Sequence, residues 1–267
     1  MNENPQQIIS MSFGFCEASL GLGGNQILYD TYQQAAAEGF SVFVAAGDGG
    51  AAGCDYTDGN TYATDGISIS GYASTPFTVA VGGTTFGDWL LGDPGYYWKS
   101  SNGKYYESAK SYIPEIPWNS SCGNYLLAVY YAFTRTYGSS GFCSSEFQTG
   151  ALLRFMAGSG GPSACALAAP QGSGCAGYGK PGWQNGILGN PGDQVRDVPD
   201  VSIIAGGAEW GQQLRPRLCV AAWLGFHDRD RHARCDKPRQ RVAGPMIFSR
   251  DAIISLQRLA SSLAESG

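Results

Sequence analysis

Three short apolar runs, each closed by glycine, constrain the fold more than any other feature. Gln7-Ile-Ile-Ser-Met-Ser-Phe-Gly14 reads as a buried strand that stops at its glycine. From Asn25 to Phe40 the apolar residues Ile27, Leu28, Tyr32, Ala35 and Ala36 fall at helical spacing, and Gly39 stands where a left-handed cap is wanted. Phe40-Ser-Val-Phe-Val-Ala-Ala46 is a second strand, closed by Gly47-Asp48-Gly49-Gly50, and Phe77-Thr-Val-Ala-Val-Gly-Gly83 is a third. Strand, helix and strand within about 45 residues make a right-handed βαβ unit. The expected class is therefore α/β with a parallel sheet. Functional groups are expected just beyond the carboxyl ends of its strands.

Downstream the texture changes. Residues 88–177 are rich in Gly, Ser, Tyr, Trp and Asn, which reads as a long, loop-rich excursion. Gly and Pro are too dense between Trp183 and Val195 for a helix. Asp197-Val-Pro-Asp-Val-Ser-Ile-Ile204 resumes as a Pro-interrupted strand. Ser249 is positioned to cap a helix carrying Ile253, Leu256, Leu259 and Leu263.

At 267 residues with 43% hydrophobic content the chain can bury one sizeable core, while 15% charged residues is well below the usual quarter. The net charge of −5 argues against a nucleic-acid partner. No apolar run reaches the roughly 18 residues of a membrane span. The opening Met1-Asn-Glu-Asn-Pro-Gln-Gln has neither the basic nor the apolar segment of a signal peptide. Charge is unevenly placed. Through Gln213 there are 17 acidic and 7 basic residues; from Leu214 there are 5 and 10, so −10 gives way to +5. A boundary is expected there, with residues 1–213 as the main unit and 214–267 as a divergent tail, either out-of-frame sequence or a basic arm.

Eight cysteines in an acidic, Gly-rich chain point to an oxidising compartment. Eight allow 105 pairings. Locality favours Cys16–Cys54, Cys122–Cys143 and Cys165–Cys175, leaving Cys219 and Cys235 in the tail.

Candidate chemistry is sparse. Both histidines, His227 and His232, lie in the tail, so residues 1–226 hold no histidine base. With Cys235 they form H-x4-H-x2-C, which matches no standard zinc spacing and reads as a solvated basic loop. Asp48 is the sharpest candidate: an acid at the carboxyl end of a buried strand, flanked by glycines that admit close approach. It reads equally as a turn-forming aspartate that accepts local N–H bonds. Ser163, in Gly-Gly-Pro-Ser-Ala-Cys, has the look of a nucleophile but reads better as a surface loop inside a disulfide clip. Asn119-Ser-Ser is a glycan acceptor if the source is eukaryotic. Glu17 and Glu115 have no second carboxylate at informative spacing.

In combination these segments resemble the sedolisin (serine-carboxyl) peptidases of the kumamolisin-like kind. The matching pieces are Ile8–Gly14 with Cys16-Glu17, Ala35–Asp48 with Ala51–Asp55, Ala73–Thr84, Tyr112–Asn119, Lys180–Gln184 and Val195–Ser202, in order along residues 6–213. The resemblance implies a subtilisin-like parallel sheet with helices on both faces, long Gly/Ser/Tyr-rich loops, and a secreted, acid-acting endopeptidase. It implies a glutamate base with an aspartate helper, a serine in Gly-Thr-Ser, and a further aspartate at the oxyanion hole, which Asp48 matches. Ser12, Phe13 and Gly14 match the edge that pairs with peptide substrate by β-addition. The Glu/Asp helix and the Gly-Thr-Ser segment have no match in the 267 residues, and Ser163 stands ahead of the Pro-Asp-Val-Ser block, out of order for the nucleophile. Ser249, in Ile-Phe-Ser-Arg, lacks the glycines of a nucleophile turn. The family's calcium site has no counterpart, so no metal or cofactor is expected. The chain is expected to be an incomplete α/β domain that meets peptides but does not cleave them alone, with a non-catalytic secreted peptide-binding protein as the alternative.

Overall fold

The structure, a computed structural model, describes residues 7–58, 63–88, 94–105, 107–145, 156–169 and 174–206. The βαβ expectation is met. Strand β1 (Ile8–Met11) pairs in parallel with β2 (Ser41–Ala45), Ile8 opposite Ser41 and Met11 opposite Val44. Between them runs α1 (Glu17–Ala37). Strand β3 (Val79–Phe86) continues the parallel sheet, with Phe43 opposite Val79 and Ala45 opposite Val81.

Helix α1 begins earlier than the apolar spacing indicates. Cys16 caps it, its Sγ accepting from Ser19 N at 3.4 Å, and the chain kinks at Gly21, where φ +65 and ψ 176 leave the helical region. Glycine adopts that conformation without steric penalty. The helix ends where Gly39 turns the chain at φ +83, as the sequence indicates.

Leu28, Tyr32 and Ala35 of α1 meet Val42, Val44, Ile69, Ala80 and Val198 in the main core, the face that alternation assigns to the buried side of β2 and β3. The opposite face gathers Phe43, Val79 and Val81 with Ile8, Val201 and Ile203, all of them strand residues.

The Pro-interrupted strand divides into two. Strand β8 (Asp197–Val198) pairs antiparallel with β5 (Gly161–Pro162), while β9 (Val201–Ile204) joins β3 in parallel, Val81 opposite Val201. One segment thus serves both sheets, with the break at Pro199. Arg196 locks this corner. Fully buried, it donates to both oxygens of Asp200 at 2.5 and 2.6 Å, and Asp200 Oδ2 also accepts from Ala80 N at 2.8 Å. A charge taken from water this completely is held only when a partner of this geometry is present.

The excursion is loop-rich, as expected, but carries short elements. Helices α2 (Gly53–Asp58), α3 (Pro94–Tyr97) and α4 (Tyr125–Tyr130), strand β4 (Glu115–Pro117) and the small hairpin of β6 (Leu167–Ala168) with β7 (Cys175–Ala176) are all present. Strand β4 pairs antiparallel with the far end of β3, Phe86 opposite Glu115. The three disulfides are those that locality favours: Cys16–Cys54, Cys122–Cys143 and Cys165–Cys175. Cys219, Cys235, His227, His232, Ser249 and the whole of 214–267 lie outside the described residues.

Candidate functional site

Two chain segments leave the sheet at the same end. Met11 stands opposite Val44 in a parallel pair, so Ser12–Gly14 and Gly47–Asp48 emerge together from the carboxyl ends of β1 and β2. This is the crevice position at which α/β sheets bind ligands.

Around Asp48 the backbone is clamped. Gly47 O accepts from Ser159 N at 2.9 Å, Asp48 O accepts from Ala157 N at 2.9 Å, and Gly50 N donates to Ala157 O at 2.9 Å. Gly49 N donates to Ser159 Oγ at 3.0 Å. Gly47 is required here: its φ is +119, and a Cβ would stand 2.9 Å from Ser159 Oγ. The Asp48 side chain itself reaches solvent, and no described residue hydrogen-bonds to its carboxylate. A turn-capping aspartate would accept local N–H bonds; this one accepts none among the described residues. Surrounding protein raises its carboxyl above the ordinary 3.8 by withdrawing water.

The other limb is equally open. No described residue hydrogen-bonds to the main chain of Ser12, Phe13 or Gly14. Phe13 is 59% exposed and rests edge-on against Tyr72, with ring centroids 5.2 Å apart. A Cβ at Gly14 would lie 2.9 Å from Ser70 Oγ, and that buried hydroxyl has no hydrogen-bond partner among the described residues. The two limbs are tied together: Phe15 O accepts from Gly71 N, Glu17 N donates to Ile69 O, and the Cys16–Cys54 bridge joins the chain just past Gly14 to the chain just past Asp48.

The sequence is 33% identical over 123 residues to sedolisin of Pseudomonas sp. (strain 101). Over that stretch the chain is similar to sedolisin. The match spans 45% of this chain and 17% of sedolisin, so the relative is far longer than the stretch they share. Among solved structures, Pseudomonas sedolisin, a serine-carboxyl proteinase complexed with two molecules of pseudo-iodotyrostatin, is similar at 25% identity with a TM-score of 0.44, covering 75% of this chain and 38% of that one. No protein-family model matches the sequence. The mainly parallel sheet with α1 packed on it is the α/β class expected from the sequence.

Ser163 lies inside the protein rather than on a surface loop. It is 2% exposed, donates to Glu17 Oε1 at 2.6 Å, and accepts from Tyr178 N at 2.9 Å. Glu17 accepts two further bonds, from Ala164 N and Cys165 N at 2.8 and 2.9 Å. Its partners lie some 146 positions away, so no local spacing announces the pair. Among the described residues no group of three or more His, Cys, Asp and Glu is placed to hold a metal ion, and no step below uses one. No described helix is long and apolar enough to cross a membrane.

Proposed function

We propose that this chain carries the peptide-binding edge and the oxyanion-stabilising carboxyl of a secreted, acid-acting serine-carboxyl endopeptidase. The observation that supports it is the pairing, at one sheet end, of a Ser12–Gly14 main chain and an Asp48 carboxyl that no described residue hydrogen-bonds. A peptide adds to Ser12–Gly14 as an extra strand, exchanging main-chain hydrogen bonds. Its carbonyl then faces Asp48, which donates a hydrogen bond only while protonated; the upward shift of its carboxyl favours that form. One such donor contributes about 3–4 kcal/mol to a transition state.

In this reading the chain supplies binding and polarisation but no nucleophile or glutamate base. No Gly-Thr-Ser tripeptide occurs in the sequence, and the Ser163 hydroxyl is 2% exposed, shut away from a bound peptide. Residues 1–213 form the peptidase-like unit and 214–267 a separate tail. The burial of Ser163 also favours the second reading, a secreted protein that binds peptides without cleaving them, and the disulfides accord with secretion. Incubating the purified chain with a mixed peptide substrate at pH 4 and reading new termini by mass spectrometry tests the first reading. No cleavage is expected; hydrolysis that Ser163→Ala abolishes overturns it.

A further inference from the structure

On the side of Asp48 away from Ser12–Gly14, the far end of β3 and strand β4 enclose a cavity of about 270 Å³. That is below the roughly 300–1,000 Å³ of a pocket for a drug-sized molecule and suits one side chain. Glu115 forms its charged wall, with the hydroxyls of Thr84, Ser159 and Ser202 and the apolar surfaces of Ile116 and Pro199 around it. Ser159 is shared with the candidate site, since its N and Oγ hold Gly47 and Gly49 on either side of Asp48. Thr84 Oγ1 donates to Glu115 Oε2, which turns the carboxylate along the cavity wall. None of the described ion pairs involves Glu115; the buried cations Lys180 and Arg196 are taken by Asp193, Asp197 and Asp200.

We infer that this cavity is a specificity subsite for a basic side chain of the bound peptide, with Glu115 as its counter-ion. The chemistry selects that class. Glu115 is the one charged side chain in the lining and no lysine or arginine stands near it there, so an anion meets a like charge with no cation to offset it. A single carboxylate is too few oxygen ligands of charge for a divalent cation. An ammonium or guanidinium on an aliphatic stem meets both demands, its head on Glu115 and its methylenes along Ile116 and Pro199.

The inference rests on the peptide-binding reading, and one experiment separates the two. Eight-residue alanine-based peptides, each with a single lysine or norleucine moved through every position, are titrated calorimetrically into the full chain and into Glu115→Gln. At one position lysine is expected to bind at least about tenfold tighter than norleucine, the gain of one charge-assisted hydrogen bond. Glu115→Gln, which keeps an acceptor for Thr84, is expected to remove that gain and leave the norleucine peptides unchanged. Binding that is indifferent to lysine at every position overturns the subsite while the peptide-binding reading stands. A lysine gain that persists in Glu115→Gln overturns the role of Glu115. Absence of binding by every peptide overturns the peptide-binding reading and the subsite with it.

Discussion

Ser163 donates its hydroxyl hydrogen to Glu17 Oε1 at 2.6 Å, joining the start of α1 to a loop 146 positions downstream. Both side chains are about 98% shielded from water, and the same hydroxyl accepts from Tyr178 N. Replacing Ser163 by alanine leaves a buried carboxylate and a buried N–H each short of a partner, a cost of about 2–3 kcal/mol. The expected result is a drop of roughly 5–10 °C in melting temperature with peptide affinity unchanged. An unaltered melting temperature contradicts the anchoring role.

That pair also shows where sequence reasoning stops. Strands β1, β2 and β3 and the body of α1 were legible because each is announced by local periodicity and closed by a glycine. The disulfides followed from proximity along the chain. Glu17, Ser70 and Glu115 acquire their meaning from residues far away in sequence, so no spacing rule finds them. The start of α1 was missed because Leu20-Gly-Leu-Gly-Gly24 has no helical pattern, and a capping cysteine and a kink at Gly21 carry the helix through it. Asp48 was legible by position. Its freedom from local hydrogen bonds, which separates it from an ordinary turn aspartate, needed coordinates.

The Asp48 carboxyl sets a pH dependence. Its folded value lies above the ordinary 3.8 because surrounding protein disfavours the charged form. The folded chain therefore holds this proton more tightly than the unfolded chain. The stability from that preference is complete below 3.8 and is lost as pH rises through the folded value. Asp48→Asn cannot ionise and escapes the loss. Its melting temperature is expected to exceed that of the unmodified chain at pH 7 and to match it at pH 3. Equal differences at both pH values contradict the shift.

Disulfide Cys16–Cys54 couples the two limbs of the site, whereas Cys122–Cys143 closes a loop in the excursion. Alanine pairs at either are expected to lower stability by about 3 kcal/mol. Only the Cys16→Ala/Cys54→Ala pair is expected to weaken peptide binding as well, measured below the melting temperature of both variants. Equal peptide affinity in the two variants removes the positioning role of the first bridge.

Arg196 and Asp200 form a buried pair with side-chain exposures of 0% and 2%. Asp200→Asn leaves the guanidinium uncompensated and is expected to cost about 3–5 kcal/mol. The double change Arg196→Met/Asp200→Leu is expected to cost less than Asp200→Asn alone, because no charge is stranded. Urea unfolding of both variants checks the order, and the reverse order contradicts it.

The most direct measurement is amide hydrogen exchange, read by mass spectrometry, with and without a saturating peptide. If an added strand seats itself beside Asp48, exchange slows at the alternate amides of Ser12–Gly14 that face it, and the rest of the chain is little changed. A bound peptide that leaves those amides exchanging as fast as before contradicts the assignment of this edge.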